Sequence, residues 1–191
     1  MPWVQVSTYS PKFKELILYV ARKSEGDERF GAGKLNKILF FIDFDHYHDT
    51  GKSISGERYQ RIQRGPAPVL LKPVLREMED DDKTLTIKRV ALGGPYKDQA
   101  RAVALRDAKT SLFTTDELRR IDATIEKYWQ LNASEIAARA YELPGVKVAG
   151  EGEEIPYQTA MISTKPWTRE DTARAQRFAK KQGWAVAEPA P

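Results

Sequence analysis

Apolar positions recur along residues 34–68 in a pattern that ordinary surface helices lack. Wound as a helix at about 100° per residue, Leu35, Ile38, Leu39 and Ile42 fall on one side, and Phe40, Phe41, Phe44 and Tyr47 fall roughly opposite. A surface helix carries one apolar stripe, so two opposed stripes predict a helix with protein on both flanks. Asn36 and Asp43 share one polar seam between the stripes, and Asp45 and Asp49 lie along the other. Gly51 supplies the left-handed position that commonly ends a helix, and Ser55 is placed to cap a short turn carrying Tyr59.

The other elements follow from the same periodicities. Ser10-Pro11 starts a helix on which Phe13, Leu16, Ile17 and Val20 share a face, and residues 23–33 form a glycine-bearing loop into the central helix. Val69, Leu70, Val74, Leu75 and Met78 continue a helical pattern toward Asp80, with Pro73 kinking it or marking where its regular part begins. The acidic run 77–82 reads as a solvated end. Residues 84–92 and 99–106 favour strand around Gly93-Gly94-Pro95, which predicts a hairpin. Thr114 with Glu117 forms a capping box before a helix carrying Leu118, Ile121, Ile125, Tyr128 and Trp129. Asn132 with Glu135 caps the next helix, through Ile136 and Ala140, and Pro144-Gly145 ends it. Thr168 to Asp171 opens a last helix with Ala175, Phe178 and Ala179 on one side, closed by Gly183 before Trp184, and residues 188–191 are expected to be disordered. The fold class is α+β and mainly α: a central two-faced helix surrounded by helices, with a small antiparallel β-hairpin. Residues 1–160 form one domain, and 161–191 are a helical extension with a tail.

Composition changes this picture little. The 191 residues are 41% hydrophobic, which suits a globular core, and no apolar run approaches the length that a bilayer crossing needs. Zero cysteines remove disulfides, thiolate metal sites and a cysteine nucleophile, and fit a cytoplasmic protein in a reducing compartment. The net charge of +4, from 31 basic and 27 acidic residues, is mild and describes a mixed, solvated exterior.

By mechanism alone, Arg64-Gly65-Pro66 is a sharp turn in which glycine permits positive φ and Pro66 presets a helix start. Taken in order, however, KLNKILFFIDF, TGKSISGERY and RGPAP resemble the Panacea domain of the SocA-like antitoxins, a family once grouped with phage-associated proteins. Gly152-Glu153-Glu154-Ile155-Pro156-Tyr157 resembles the block near that domain's C-terminal end, so the likeness spans roughly Phe13 to Ala160. Two positions depart from the pattern: Tyr141 stands where the family often has histidine, and Val146 where a tryptophan often follows. A role that depends on that histidine does not carry over, whereas packing roles do.

The resemblance implies a non-enzymatic type II antitoxin without cofactor or metal. Such a protein binds a cognate toxin in a toxin-antitoxin or phage-defence setting, and SocA-like relatives also suggest delivery to a ClpXP-type protease. The residues it marks for partner recognition are Asp43, Tyr59, Arg64, Gly65, Pro66, Gly152, Glu153, Glu154 and Tyr157. Gly65, Pro66 and Gly152 read equally as backbone-shaping residues, and Tyr59 and Tyr157 as core. The two motif blocks are expected to meet, with Arg64 near Glu153 or Glu154.

Other chemistries are weaker on the residues themselves. His46 and His48 flank Tyr47 beside acids, but helical residues two apart point about 200° from each other and cannot share one ion. A histidine oriented by Asp45 or Asp49 reads as a structural hydrogen bond. Glu153 and Glu154 are adjacent in sequence, which says nothing of the separation a hydrolytic pair requires. Gly31-Ala32-Gly33-Lys34 lacks the spacing of a phosphate loop. Three helices before a hairpin are also the order of a winged helix, and Lys83, Lys88, Arg89, Lys97, Arg101, Arg106 and Lys109 cluster on or beside that hairpin, where a wing would meet DNA phosphates. Against DNA binding, the would-be recognition helix is interrupted by Pro73 and ends in acids.

Overall fold

The computed structural model describes residues 9–91 and 98–162, with 168–170, 173, 176 and 177 beyond them. Two helices open the chain: α1, Pro11–Lys23, capped by Ser10, and α2, Ala32–Thr50. A tight hairpin follows, β1, Tyr59–Ile62, with β2, Gly65–Pro68, and then α3, Leu71–Asp80. A second hairpin pairs β3, Leu85–Val90, with β4, Gln99–Ala104. The chain continues as α4, Thr115–Tyr128, α5, Ala133–Tyr141, and the short α6, Pro144–Val148. The architecture is mainly helical α+β, as the sequence predicts.

The two-striped helix is the axis of the molecule. From Lys34 to Phe44, every residue of α2 except Asn36 is buried. It touches α1, α4, α5, β2, β4 and the turn at 157–161, so both stripes find cover. The aromatic side is a ring cluster: Phe40 stacks on Phe44 at 4.1 Å and both meet Tyr59 edge-on, while Phe41 lies 4.8 Å from Tyr128 of α4. Gly51 ends the helix at φ +73°, its N–H reaching the Tyr47 carbonyl. Both capping boxes form, at Thr114 with Glu117 and at Asn132 with Glu135. Asp45 and Asp49, on the outer seam, pair with Lys127 and Arg120 of α4.

Five expectations are corrected. Gly65-Pro66 does not begin a helix; Gly65, at φ +100°, opens β2, which pairs antiparallel with β1 around a Gln63-Arg64 turn. Tyr59 accordingly lies on a strand, not on a capped turn, and the fold has two hairpins among its described residues instead of one. The reason is non-local, because a proline φ suits an edge strand as well as a helix start. The acidic run is not simply a solvated end: Glu77 and Asp82 hold the ammonium of the buried Lys14 at 2.5 and 2.7 Å, and Glu79 accepts from Thr86 and from the Ile87 amide. Pro144, rather than closing α5, starts α6 at the first helical position, where its missing N–H costs nothing. Pro73 sits in the first turn of α3 for the same reason.

Among the described residues no helix is long and apolar enough to cross a membrane. The last helix expected from Thr168 onward lies largely outside the described residues, as do Gly93-Gly94-Pro95.

Truncating the axis should be far costlier than truncating the surface. Leu39→Ala, at a fully buried α2 position, is expected to lower unfolding free energy by about 3 kcal/mol. Leu105→Ala, at a residue 56% exposed, should change it by less than about 0.5 kcal/mol in the same urea titration.

Candidate functional site

The two motif blocks join on one edge of the β1–β2 hairpin. β1 takes up residues 152–155 along its free side: Gly152 N–H donates to the Arg61 carbonyl at 2.7 Å, Arg61 N–H to Glu153 at 2.9 Å, and Ile155 N–H to Tyr59 at 2.8 Å. Gln60 and Glu154 form an antiparallel bridge. Gly152, at φ +83°, makes the turn that brings this segment alongside.

Beneath them lies Asp43, completely buried on α2. Its carboxylate accepts the Ile54 and Ser55 amides at 2.8 Å each, the Ser55 hydroxyl, and the Tyr59 hydroxyl at 2.7 Å. The Tyr157 hydroxyl stands 3.4 Å away and donates mainly to the Glu57 carbonyl. Tyr157 stacks on Tyr47 at 5.2 Å and tilts against Phe44 at 4.8 Å, closing the aromatic cluster over the carboxylate. One side chain thus pins the loop after α2, strand β1 and the turn at 157. Burial pushes the Asp43 carboxyl up from its ordinary value, outweighing the pull of the Ser55, Tyr59 and Ile54 donors. Burial and the neighbouring Asp43 together push the Tyr59 hydroxyl well above its usual range.

The marked residues divide by exposure. Asp43, Tyr59, Gly65 and Pro66 are buried, so none of them presents a side chain at the surface. Arg64, Gly152, Glu153 and Glu154 are exposed, and Tyr157 is half-buried. The ion pair to Glu154 comes from Arg58, at 3.4 Å, while the Glu153 carboxylate turns back to the Gly150 amide at 2.7 Å. The blocks meet, but Arg58, and not Arg64, supplies the cation that Glu154 pairs with. At the two departures from the family pattern, Tyr141 lies under the Arg61 guanidinium at 5.5 Å, and Val146 is fully buried.

No hydrogen bond joins His48 to Asp45 or His46 to Asp49, the pairs that helical spacing offers. His46 Nδ1 lies 2.6 Å from the Lys52 carbonyl and helps close the end of α2, and His48 pairs with its neighbour Asp49. No group of three or more histidine, aspartate or glutamate side chains among the described residues is placed to hold a metal. A cleft of about 350 Å³ beside α1 is lined by Lys14, Glu15, Asp82, Arg106 and Lys109. Its charges neutralise one another, Lys14 against Asp82 and Arg106 against Glu15. Of the basic cluster read as a wing, Arg101 donates inward to the Phe30 and Asp27 carbonyls and Arg106 to Glu15, which removes two cations from any phosphate-facing surface.

Besides Lys14, two lysines of α2 are buried, which the amphipathic pattern alone does not announce. Lys34 pairs with Asp27 at 2.5 Å and donates to the Trp129 and Leu131 carbonyls. Lys37 is equally buried. For Lys37 a signal was present nonetheless, since on the helical wheel it falls between Phe41 and Phe44, inside the aromatic stripe.

Compared with known protein families, residues 35–144 match the antitoxin SocA-like, Panacea domain, more than half of the chain. The Gly152–Tyr157 block lies beyond the matched segment. No curated protein and no solved structure matches.

Asp43→Ala should cost about 3 kcal/mol or more, because it strands two amides and two hydroxyls in the interior. Asp43→Asn gives the pH signature. A raised folded pKa means the native state binds the proton more tightly than the unfolded chain, so its contribution is fullest near and below pH ~4 and is lost as pH rises through the folded value. The stability of the wild type relative to Asp43→Asn is therefore expected to fall as urea titrations move from about pH 4 upward, other titrations cancelling in the difference.

Proposed function

The chain belongs to the SocA-like antitoxin family that carries the Panacea domain, and we propose that it neutralises a cognate protein toxin by direct binding. The observation that carries this is the family match over α2 to α5. The site's chemistry agrees with it: the buried carboxyl and hydroxyl groups are satisfied by one another, so what the molecule offers outward is a shaped rim instead of reacting groups. That rim consists of the Gln63-Arg64 turn and the exposed ends of Glu153 and Glu154, set on loops fixed from beneath by Asp43. A fixed rim loses little conformational freedom on binding, and an interface of ~1,600 Å² would suffice for tight neutralisation. Residues 1–160 form the gripping domain and 161–191 an extension. In the finer form of the proposal, the bound toxin is handed to a ClpXP-type protease in the cytoplasm.

The test is co-expression with the small protein encoded beside this chain's gene. The chain should rescue growth and co-elute with that protein; growth arrest that the chain does not relieve, with no co-elution, would sink the proposal. Arg64→Glu and Glu154→Lys, both on the exposed rim, are expected to weaken the complex at least tenfold while leaving the urea midpoint of the free chain nearly unchanged.

A further inference from the structure

Toxin binding leaves one group of side chains without a task. Lys37 is 1% exposed, yet its ammonium has neither an acceptor within hydrogen-bonding distance nor a carboxylate partner among the described residues. Lys34, one turn earlier, shows what a provided-for buried lysine looks like in this fold, with Asp27 and two carbonyls around it. The contrast is sharpened by what surrounds Lys37. A side chain built at Gly65 would begin 3.5 Å from Lys37 Cε and 3.7 Å from its nitrogen, so the ammonium lies against the Arg64-Gly65 turn. Arg64 itself is exposed and makes no ion pair among the described residues. Arg61, on the same hairpin, has a buried Nε with no acceptor, and its guanidinium otherwise lies over Tyr141 and donates to the Ala149 carbonyl. Ala137 abuts Gly65 and Tyr141 lies under Arg61, so one face of α5 backs both cations.

A buried ammonium without a counter-charge is among the least favourable arrangements a protein interior holds, and it is relieved when an anion arrives. Burial first, and the Arg64 charge second, bring Lys37 down to about 8, and an anion that entered would raise it again. We propose that Lys37, with Arg64 at its mouth, is a carboxylate-binding site that receives one acidic side chain of the toxin beside the Arg64-Gly65 turn. The site deepens the antitoxin proposal and rests on it for the identity of its occupant. A protein toxin presents its anions as aspartate and glutamate side chains, which makes the expected occupant a planar carboxylate and not a phosphate. Arg64 can grip that carboxylate through two parallel N–H donors while Lys37 meets it as a point charge.

Lys37→Met keeps the length of the side chain and removes the charge. If Lys37 waits for a carboxylate, the variant's urea midpoint should stay level or rise, while its affinity for the neighbouring-gene protein falls at least tenfold. A lowered midpoint with unchanged affinity, the mark of a packing role alone, would overturn the site. A second measurement uses no toxin: acetate and inorganic phosphate are titrated separately into the labelled wild-type chain while the Lys37 side-chain resonances are followed. A saturable shift with acetate is expected. No shift with either anion, or a shift with phosphate alone, overturns the carboxylate site. If acetate saturates Lys37 but the chain binds no neighbouring-gene protein, the site stands and the antitoxin proposal is what fails.

Discussion

A helix covered on both sides has nowhere in solvent to send its polar groups, and that constraint on α2 organises the rest of the molecule. Each charged residue buried along it must be met by chain brought from elsewhere, or remain costly. Lys34 draws in the loop after α1 through Asp27 and the junction of α4 and α5 through two carbonyls. Asp43 draws in residues 54–59 and the turn at 157. Hydrogen bonds to charged groups contribute about 1.5–3 kcal/mol each, comparable to burying a core side chain, so these attachments rank with the hydrophobic contacts in fixing where the loops lie.

The buried charges are treated unequally. Lys34 has a carboxylate at contact distance and is fully provided for. Asp43 has no cation and is solvated instead by amides and hydroxyls, which leaves its carboxyl raised. Lys37 has neither. Along α2 the order is Lys34, Lys37, Asp43, so satisfaction does not grade along the axis and is set residue by residue by the surrounding fold. That fold places the least satisfied charge of the three beside an exposed turn.

What could be read in advance was what local chemistry determines. Two apolar stripes specify a sandwiched helix because side-chain direction follows from position alone, and Thr114 with Glu117 or Asn132 with Glu135 cap their helices without help from distant residues. Gly65-Pro66 was misread because the same dipeptide suits a helix start and a strand entry. The choice is made by β1 across the turn and by residues 152–155 arriving on β1's other side. Asp43 and Tyr59 were marked as recognition residues because they belong to a recognisable block, but a block's lettering does not say which members face inward. Lys37 was legible as a charge within an aromatic stripe; that no acid meets it is a property of the assembled fold.

Under the proposed binding at the rim, the position of the aromatic cluster gives the buried residues of the block a part in recognition. Tyr157 touches both the floor, through Phe44 and Tyr59, and the loop above it, through the Glu57 carbonyl. Loosening that contact would free residues 54–58 and 152–156 together, because the first segment hangs on the Asp43 carboxylate and the second on β1, whose Tyr59 donates to the same carboxylate. The exposed ends of Arg58, Glu153 and Glu154 would then sample many arrangements where they now hold one, and a partner would have to fix them at about 0.5–1.5 kcal/mol per side chain. In the proposed complex the inward half of the motif would contribute to recognition without touching the partner: its work is done before binding, in holding the outward half still.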